Sequence, residues 1–168
     1  MFKYLSKKMN PVQIVAAESS ENDFYDDEEC KYEKQESKYV LYFDGCSKGN
    51  PGVGGAGAVL YKDGLEVWGS SQKVGDKVTN NVAEYKGLIM GLHEVFTREI
   101  KNIVVRGDSQ LVIKQMKGEY KVRSSTLVEY HQQAKLLEKY FDRIVFEHVY
   151  RDKNKRADEL SNMALDLP

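Results

Sequence analysis

The sequence predicts an α/β fold: a five-stranded mixed sheet flanked by helices. Three observations carry this expectation. The chain from Tyr39 to Gln72 holds three strand-like apolar runs, two of them joined at Lys62-Asp63-Gly64. From Asn80 the apolar residues switch to helical spacing. Beyond Lys101, strand-like and helix-like segments alternate. A hairpin meander followed by such alternation gives strands of both directions with helices on the faces.

Each element has its own warrant. "KYVLYFDG" is an apolar run stopping at Asp44-Gly45, a buried strand with a turn. "GAGAVLYKDGLEVWGSSQ" supplies the second and third strands, because Asp-Gly between apolar runs signals a hairpin. "NNVAEYKGLIMGLHEVFTRE" places Val82, Tyr85, Leu88, Ile89, Leu92 and Phe96 on one helical face, with Asn80 or Asn81 expected as N-cap. "KNIVVRGDS" is the fourth strand, ending at Asp108. "DSQLVIKQMKGEY" is a short helix opened by Asp108 or Ser109 and closed by Gly118. "SSTLVEYHQQAKLLEKYF" is a helix capped by Ser124 or Ser125, "RIVFEHVY" the fifth strand, and "DKNKRADELSNMALD" the closing helix. The order is βββαβααβα.

Charge divides the chain. Residues 1–17 carry three lysines and no acid, whereas residues 18–37 carry nine acids against Lys31 and Lys34. Such a block of like charge with few apolar residues does not collapse into a core. Residues 1–38 are therefore expected to be a disordered extension, basic then acidic, and residues 39–168 a single folded domain. A docking or autoinhibitory segment is the alternative for the acidic block. The rest of the chain is mildly basic, with 20 basic and 17 acidic residues. No apolar run is long enough for a membrane-spanning helix, and the N-terminus lacks the apolar region of a signal peptide. Cys30 and Cys46 define neither a disulfide framework nor a zinc spacing. These features lead to an expected intracellular monomer, cytoplasmic or nuclear, with reduced thiols.

Gly52-x-Gly54-x-x-Gly57 spells the dinucleotide-binding fingerprint. That fingerprint must open a helix, whose N-terminus holds the pyrophosphate. Here "AVLYKDG" follows, a strand and a hairpin turn, so no nucleotide cofactor is expected. The glycines instead predict a tight loop and a thin strand that another backbone approaches closely.

Four acids occupy matching places. Asp44 ends the first strand and Asp108 the fourth. Glu84 and Asp158 lie in the first turns of two helices. A right-handed crossover sets the first and fourth strands side by side, with both strand ends at one crevice. Clustered carboxylates repel unless cations offset them, and hard oxygen ligands select Mg²⁺ or Mn²⁺. Two such ions match four carboxylates and suit a two-metal phosphoryl site. Taken singly, each acid also fits a plainer role: Asp108 as a helix cap, Glu84 as a first-turn acid favoured by the helix dipole.

"YFDGCSKGNPGVGGAGAVL", "TNNVAEYKGLIMGL", "RGDSQLVIKQMKGEY" and "DKNKRADELSNMAL" together resemble type I ribonuclease H, in that order and spacing, over residues 39 to about 166. The resemblance implies the ribonuclease H fold and an endonuclease that hydrolyses the RNA strand of RNA–DNA hybrids, leaving 5′-phosphate and 3′-hydroxyl ends. It implies Asp44, Glu84, Asp108 and Asp158 as ligands of two Mg²⁺ ions, with Mn²⁺ able to substitute and Asp44 bridging. It further implies substrate contacts at Gly45, Cys46, Asn50, Asn80, Asn81 and Gln110, and a DNA-phosphate pocket at Thr79 with Lys77 in place of the family's arginine. Setting the four ligands aside, residues 38–168 hold 20 basic and 13 acidic residues, which suits a polyanion.

The chain also departs from the family. Cellular members often carry a histidine on a mobile loop before the last helix. Matching strand ends puts Arg151 there, on a shortened loop, and leaves His148 as a packed or capping residue of the fifth strand. A guanidinium does not act as a general acid but can stabilise phosphate charge. The short loop resembles the archaeal and plant-like branch, some of whose members also cut double-stranded RNA. No long basic protrusion follows Gly118; only Lys117, Lys121 and Arg123 remain there to grip a duplex. The competing readings are a catalytically weak nucleic-acid-binding module of the same fold and a DNA nuclease of the wider superfamily.

Overall fold

The computed structural model describes residues 38–168. The readings of the extension and of Cys30 lie outside those residues. Five strands form one sheet in the order β3-β2-β1-β4-β5: β1 (Tyr39–Lys48), β2 (Gly52–Lys62), β3 (Leu65–Val78), β4 (Asn102–Gly107) and β5 (Arg143–His148). The meander β1–β2–β3 is antiparallel, and β4 and β5 join parallel to β1. The mixed sheet and the element order match the expectation. The helices are α1 (Asn80–Thr97), α2 (Gln110–Met116), α3 (Ser125–Glu138) and α4 (Lys155–Met163). Among the described residues, no helix is long and apolar enough to cross a membrane.

Alternation along β1 divides the molecule. Leu41 and Phe43 point into the main core with Tyr85, Leu88 and Leu92 of α1, Val105 of β4, and Val112, Ile113 and Met116. Tyr42 points the other way, toward the smaller cluster of Val59, Ala157 and Leu160 beneath α4. Inside the main core, Tyr85 keeps its hydroxyl satisfied by donating to Gln115 Oε1 at 2.8 Å.

Three local expectations are corrected. The N-cap of α1 is Thr79, not Asn80 or Asn81; its Oγ1 accepts from the Val82 amide at 3.4 Å. The Asn80 amide instead donates to Asn50 Oδ1 at 3.0 Å, a partner thirty residues upstream. Strand β3 also runs on through the polar stretch Lys73–Val78, with register shifts against β2 near Gly52–Gly55. Phe96, placed on the apolar face of α1, is 38% exposed.

The glycines behave as the thin-strand reading requires. A Cβ on Gly57 would lie 2.4 Å from the Ser161 amide nitrogen, and one on Gly87 would lie 2.4 Å from the Asp44 carbonyl oxygen. Helices α4 and α1 thus rest on bare backbone from opposite faces of the sheet. No helix follows Gly57; β2 continues to Lys62.

Candidate active site

Parallel pairing of β1 with β4 stops at Phe43 opposite Gly107, but β1 itself runs on to Lys48 in its pairing with β2, so Asp44 does not end the strand as the sequence leads one to expect. Asp44 and Asp108 follow that last parallel pair immediately. The N-terminal half of α1 abuts β1 where Gly45 lacks a side chain; a Cβ there would sit 2.0 Å from the Glu84 amide nitrogen. That contact delivers Glu84 to the same point. One carboxylate oxygen from each of Asp44, Glu84 and Asp108 lies within 4.8 Å of the others. Asp44 is 5% exposed and Glu84 8%, so the cluster is largely withdrawn from water.

Asp158, in the first turn of α4, stands beside this trio and adds its negative charge at Asp44. Its Oδ1 accepts from Arg151 Nη2 at 2.7 Å, and Arg151 belongs to a 3-10 turn, Arg151–Lys153, just before α4. His148 is exposed rather than packed. Its Nε2 lies 3.2 Å from the Asp108 carbonyl oxygen, and its ring meets Tyr150 edge-on.

The electrostatic cost is visible at two groups. Burial, opposed by the Ser161 hydrogen bond and aided by the charges of Asp108 and Asp158, lifts Asp44 from 3.8 to about 7. Burial, then the charges of Asp44 and Asp108, carry Glu84 well above the usual carboxylate range, with Arg151 opposing. Glu84 Oε2 is buried with no hydrogen-bond partner. An orphaned acceptor among repelling carboxylates fits hard divalent cations, which supply both charge and a bond to that oxygen.

Two site residues lie outside the sequence-predicted set. Buried Asn154 donates from Nδ2 to the Phe43 carbonyl at 2.9 Å and to Asp108 Oδ1 at 3.1 Å. Buried Ser161 places its hydroxyl 2.6 Å from Asp44 Oδ2. Asn154, the N-cap of α4, and Ser161, within it, flank Asp158 at four and three residues.

A reverse transcriptase-like family model matches residues 42–164. A ribonuclease H of Pseudomonas syringae pv. syringae is 31% identical over 140 residues, covering 75% of this chain and 91% of the relative. The chain belongs to the type I ribonuclease H family. The bifunctional protein Rv2228c of Mycobacterium tuberculosis is 42% identical over 130 residues, 77% of this chain; the match spans only 36% of that longer relative. Among solved structures, LC11-RNase H1 in complex with an RNA/DNA hybrid superposes with a TM-score of 0.72 at 38% identity, covering 77% of this chain and 97% of its own.

Within this ribonuclease H fold, the residues expected to touch substrate fall into four places. Asn50, Thr79, Asn80 and Asn81 gather where the β1–β2 turn meets the start of α1, joined by the Asn50–Asn80 bond and by Ser47 Oγ donating to the Val78 carbonyl at 2.6 Å. Lys77, near the end of β3, and Gln110, the first residue of α2, stand exposed. Gly45 and Cys46 continue β1 past Asp44, and the Cys46 thiol donates to the Ser161 carbonyl at 3.2 Å. A concavity of about 710 Å³ lies elsewhere, between Tyr42, Tyr61 and the start of α4. It shares only Asn154 with the carboxylate site. The repelling charges and the orphaned oxygen lie at the carboxylates, not in this pocket.

Proposed function

We propose that this chain is a ribonuclease H that hydrolyses the RNA strand of RNA–DNA hybrids with two divalent cations, Mg²⁺ or Mn²⁺. The observation that carries the reading is the convergence of Asp44, Glu84 and Asp108, with the orphaned oxygen of Glu84 among them. The hybrid-bound LC11 relative supports the substrate class.

Asp44, Glu84, Asp108 and Asp158 would hold the cations. When bound, these supply Lewis acidity and positive charge for phosphodiester hydrolysis. The chain's own residues do the rest. Asn154 fixes Asp108 from the side, so that this carboxylate would meet a cation already oriented. Asn50, Thr79, Asn80, Asn81 and Gln110 present polar groups around the trio to sugars and bases of the hybrid, and 2′-hydroxyl contacts near Gly45 and Cys46 distinguish RNA from DNA. Lys77 with Thr79 grips a phosphate of the DNA strand. Arg151 holds positive charge beside the scissile position, where it offsets developing phosphate charge without moving a proton. Water attack breaks the P–O3′ bond, giving 5′-phosphate and 3′-hydroxyl ends. The whole activity is assigned to residues 39–168.

The test is cleavage of labelled hybrid, RNA duplex, DNA duplex and single-stranded RNA, each with Mg²⁺, Mn²⁺ or EDTA. Metal-dependent cutting of the hybrid's RNA strand is expected. Cutting of duplex RNA as well would place the chain with the short-loop branch that Arg151 resembles. Tight hybrid binding without cutting would replace the reading by a binding module of the same fold.

A further inference from the structure

The proposed chemistry does not explain why α4 presses so closely onto β2. Cβ atoms on Gly55 and Gly57 would lie 2.2 Å from the Ser161 carbonyl oxygen and 2.4 Å from the Ser161 amide nitrogen. Ser161 therefore marks the point of closest approach. Gly57 is also the cross-strand partner of Asp44. The bare glycines let α4 descend beside Asp44, and the hydroxyl of the fully buried Ser161 reaches Asp44 Oδ2 at 2.6 Å.

The surroundings fix that hydroxyl. Ser161 Oγ is also 2.9 Å from the Asp158 carbonyl oxygen, and the Cys46 thiol holds the Ser161 carbonyl. A hydroxyl has one proton to donate. An ionised Asp44 takes it, because a charge-assisted bond is about twice as strong as a neutral one. The carboxylate torsion of an aspartate is otherwise broad, and orienting partners of metal ligands are typically worth about 10–100-fold in metal affinity.

We propose that Ser161 is a positioning residue whose hydroxyl holds the Asp44 carboxylate in the orientation that ligates a divalent cation with Glu84 and Asp108, and that Gly55 and Gly57 are bare so that α4 can deliver it. The inference rests on the metal-dependent reading above.

Isothermal titration of the full chain with MnCl₂, without nucleic acid, tests it. The variants are Ser161→Ala and Asn162→Ala. Asn162 Nδ2 donates to the same Asp158 carbonyl at 2.8 Å but does not touch Asp44, so it controls for a purely helical role. Ser161→Ala is expected to weaken Mn²⁺ binding about tenfold, while Asn162→Ala leaves it unchanged. The Mg²⁺ concentration for half-maximal hybrid cleavage should rise in parallel, with KM for the hybrid unaltered. Ser161→Cys under reducing conditions, a weaker donor of similar size, should fall between, and it carries the comparison if the alanine variant does not fold. Wild-type affinity in Ser161→Ala, or equal losses in both alanine variants, would overturn the inference and leave the metal reading standing. A wild-type chain that takes up no Mn²⁺ would overturn both.

Discussion

Glu84 and Asp158 are both acids in the first half of a helix packed beside Asp44, yet they live in opposite circumstances. Glu84 is 8% exposed, has an oxygen with no partner and meets the charges of Asp44 and Asp108. Asp158 is more open and already paired with a guanidinium. The metal-free fold therefore carries its electrostatic cost on the α1 side. On the α1 side, backbone contact at Gly45 forces a carboxylate into a site that disfavours its charge. On the α4 side, Arg151 stands where a cation would otherwise be needed.

The largest effect should come from breaking the strained side. Asp44→Asn and Glu84→Gln are each expected to reduce hybrid cleavage about a thousandfold or more, a loss of several kcal/mol of transition-state stabilisation. Glu84→Gln should also raise the melting temperature of the metal-free protein more at alkaline than at acidic pH, because burial disfavours the charged form that Glu84 takes as pH rises. Asp158→Asn should shift stability by no more than about 1 kcal/mol, since its exposed ion pair is worth little. Calorimetry on both variants reads the contrast, and equal shifts would abolish it.

The close approaches come next. Gly45→Ala would drive a methyl into the α1 backbone, and Gly57→Ala would drive one into α4. Neither neighbour is a flexible side-chain end, so each variant should lose about 1–3 kcal/mol or more. Gly64→Ala is the comparison: its Cβ meets nothing within 4 Å, and only its positive φ of 83° resists the change. Urea unfolding of the three variants measures this, and a Gly64 variant as damaged as the other two would contradict it.

The same strain predicts a pH dependence. Burial raises Asp44 from 3.8 to about 7, so folding favours its protonated form. The stability this contributes is complete below about pH 4 and is lost as pH rises through about 7. Glu84 is shifted in the same direction by the same cause. The metal-free protein should therefore melt higher near pH 5 than near pH 8, and saturating Mg²⁺ should recover more stability at pH 8. A flat profile without metal would show that the carboxylates are not strained.

Much of this site was readable in the chain. The parallel β1–β4 ladder and the approach of α1 to β1 bring Asp44, Glu84 and Asp108 together, and the order of elements that does this is legible in the sequence although Asp44 lies mid-strand and Glu84 past the first turn of its helix. The α1 cap is not legible locally because the Asn80 amide donates to an acceptor on Asn50, and local sequence does not report a bond across thirty residues. The polar end of β3 escaped notice because its apolar alternation stops while its pairing with β2 continues. Asn154 and Ser161 look like ordinary polar residues of a polar helix. Their meaning appears only when bare glycines bring α4 onto the sheet.

The smallest effect concerns the paired side, and it separates Arg151 from His148. The Arg151 side chain is 77% exposed and its ion pair is with Asp158. An exposed pair of this kind costs little to open, so the guanidinium can turn toward substrate once cations occupy the carboxylates. His148 is committed to the carbonyl of Asp108 at the end of β5. Arg151→Ala should slow hybrid cleavage about tenfold, less than the roughly 100-fold or more lost with a preorganised charge-stabilising donor because this guanidinium is exposed, and His148→Ala should slow it less. Single-turnover rates at saturating Mg²⁺ measure both. The reverse ranking would move the loop's catalytic role from Arg151 to His148 and make the Arg151–Asp158 pair a structural clasp.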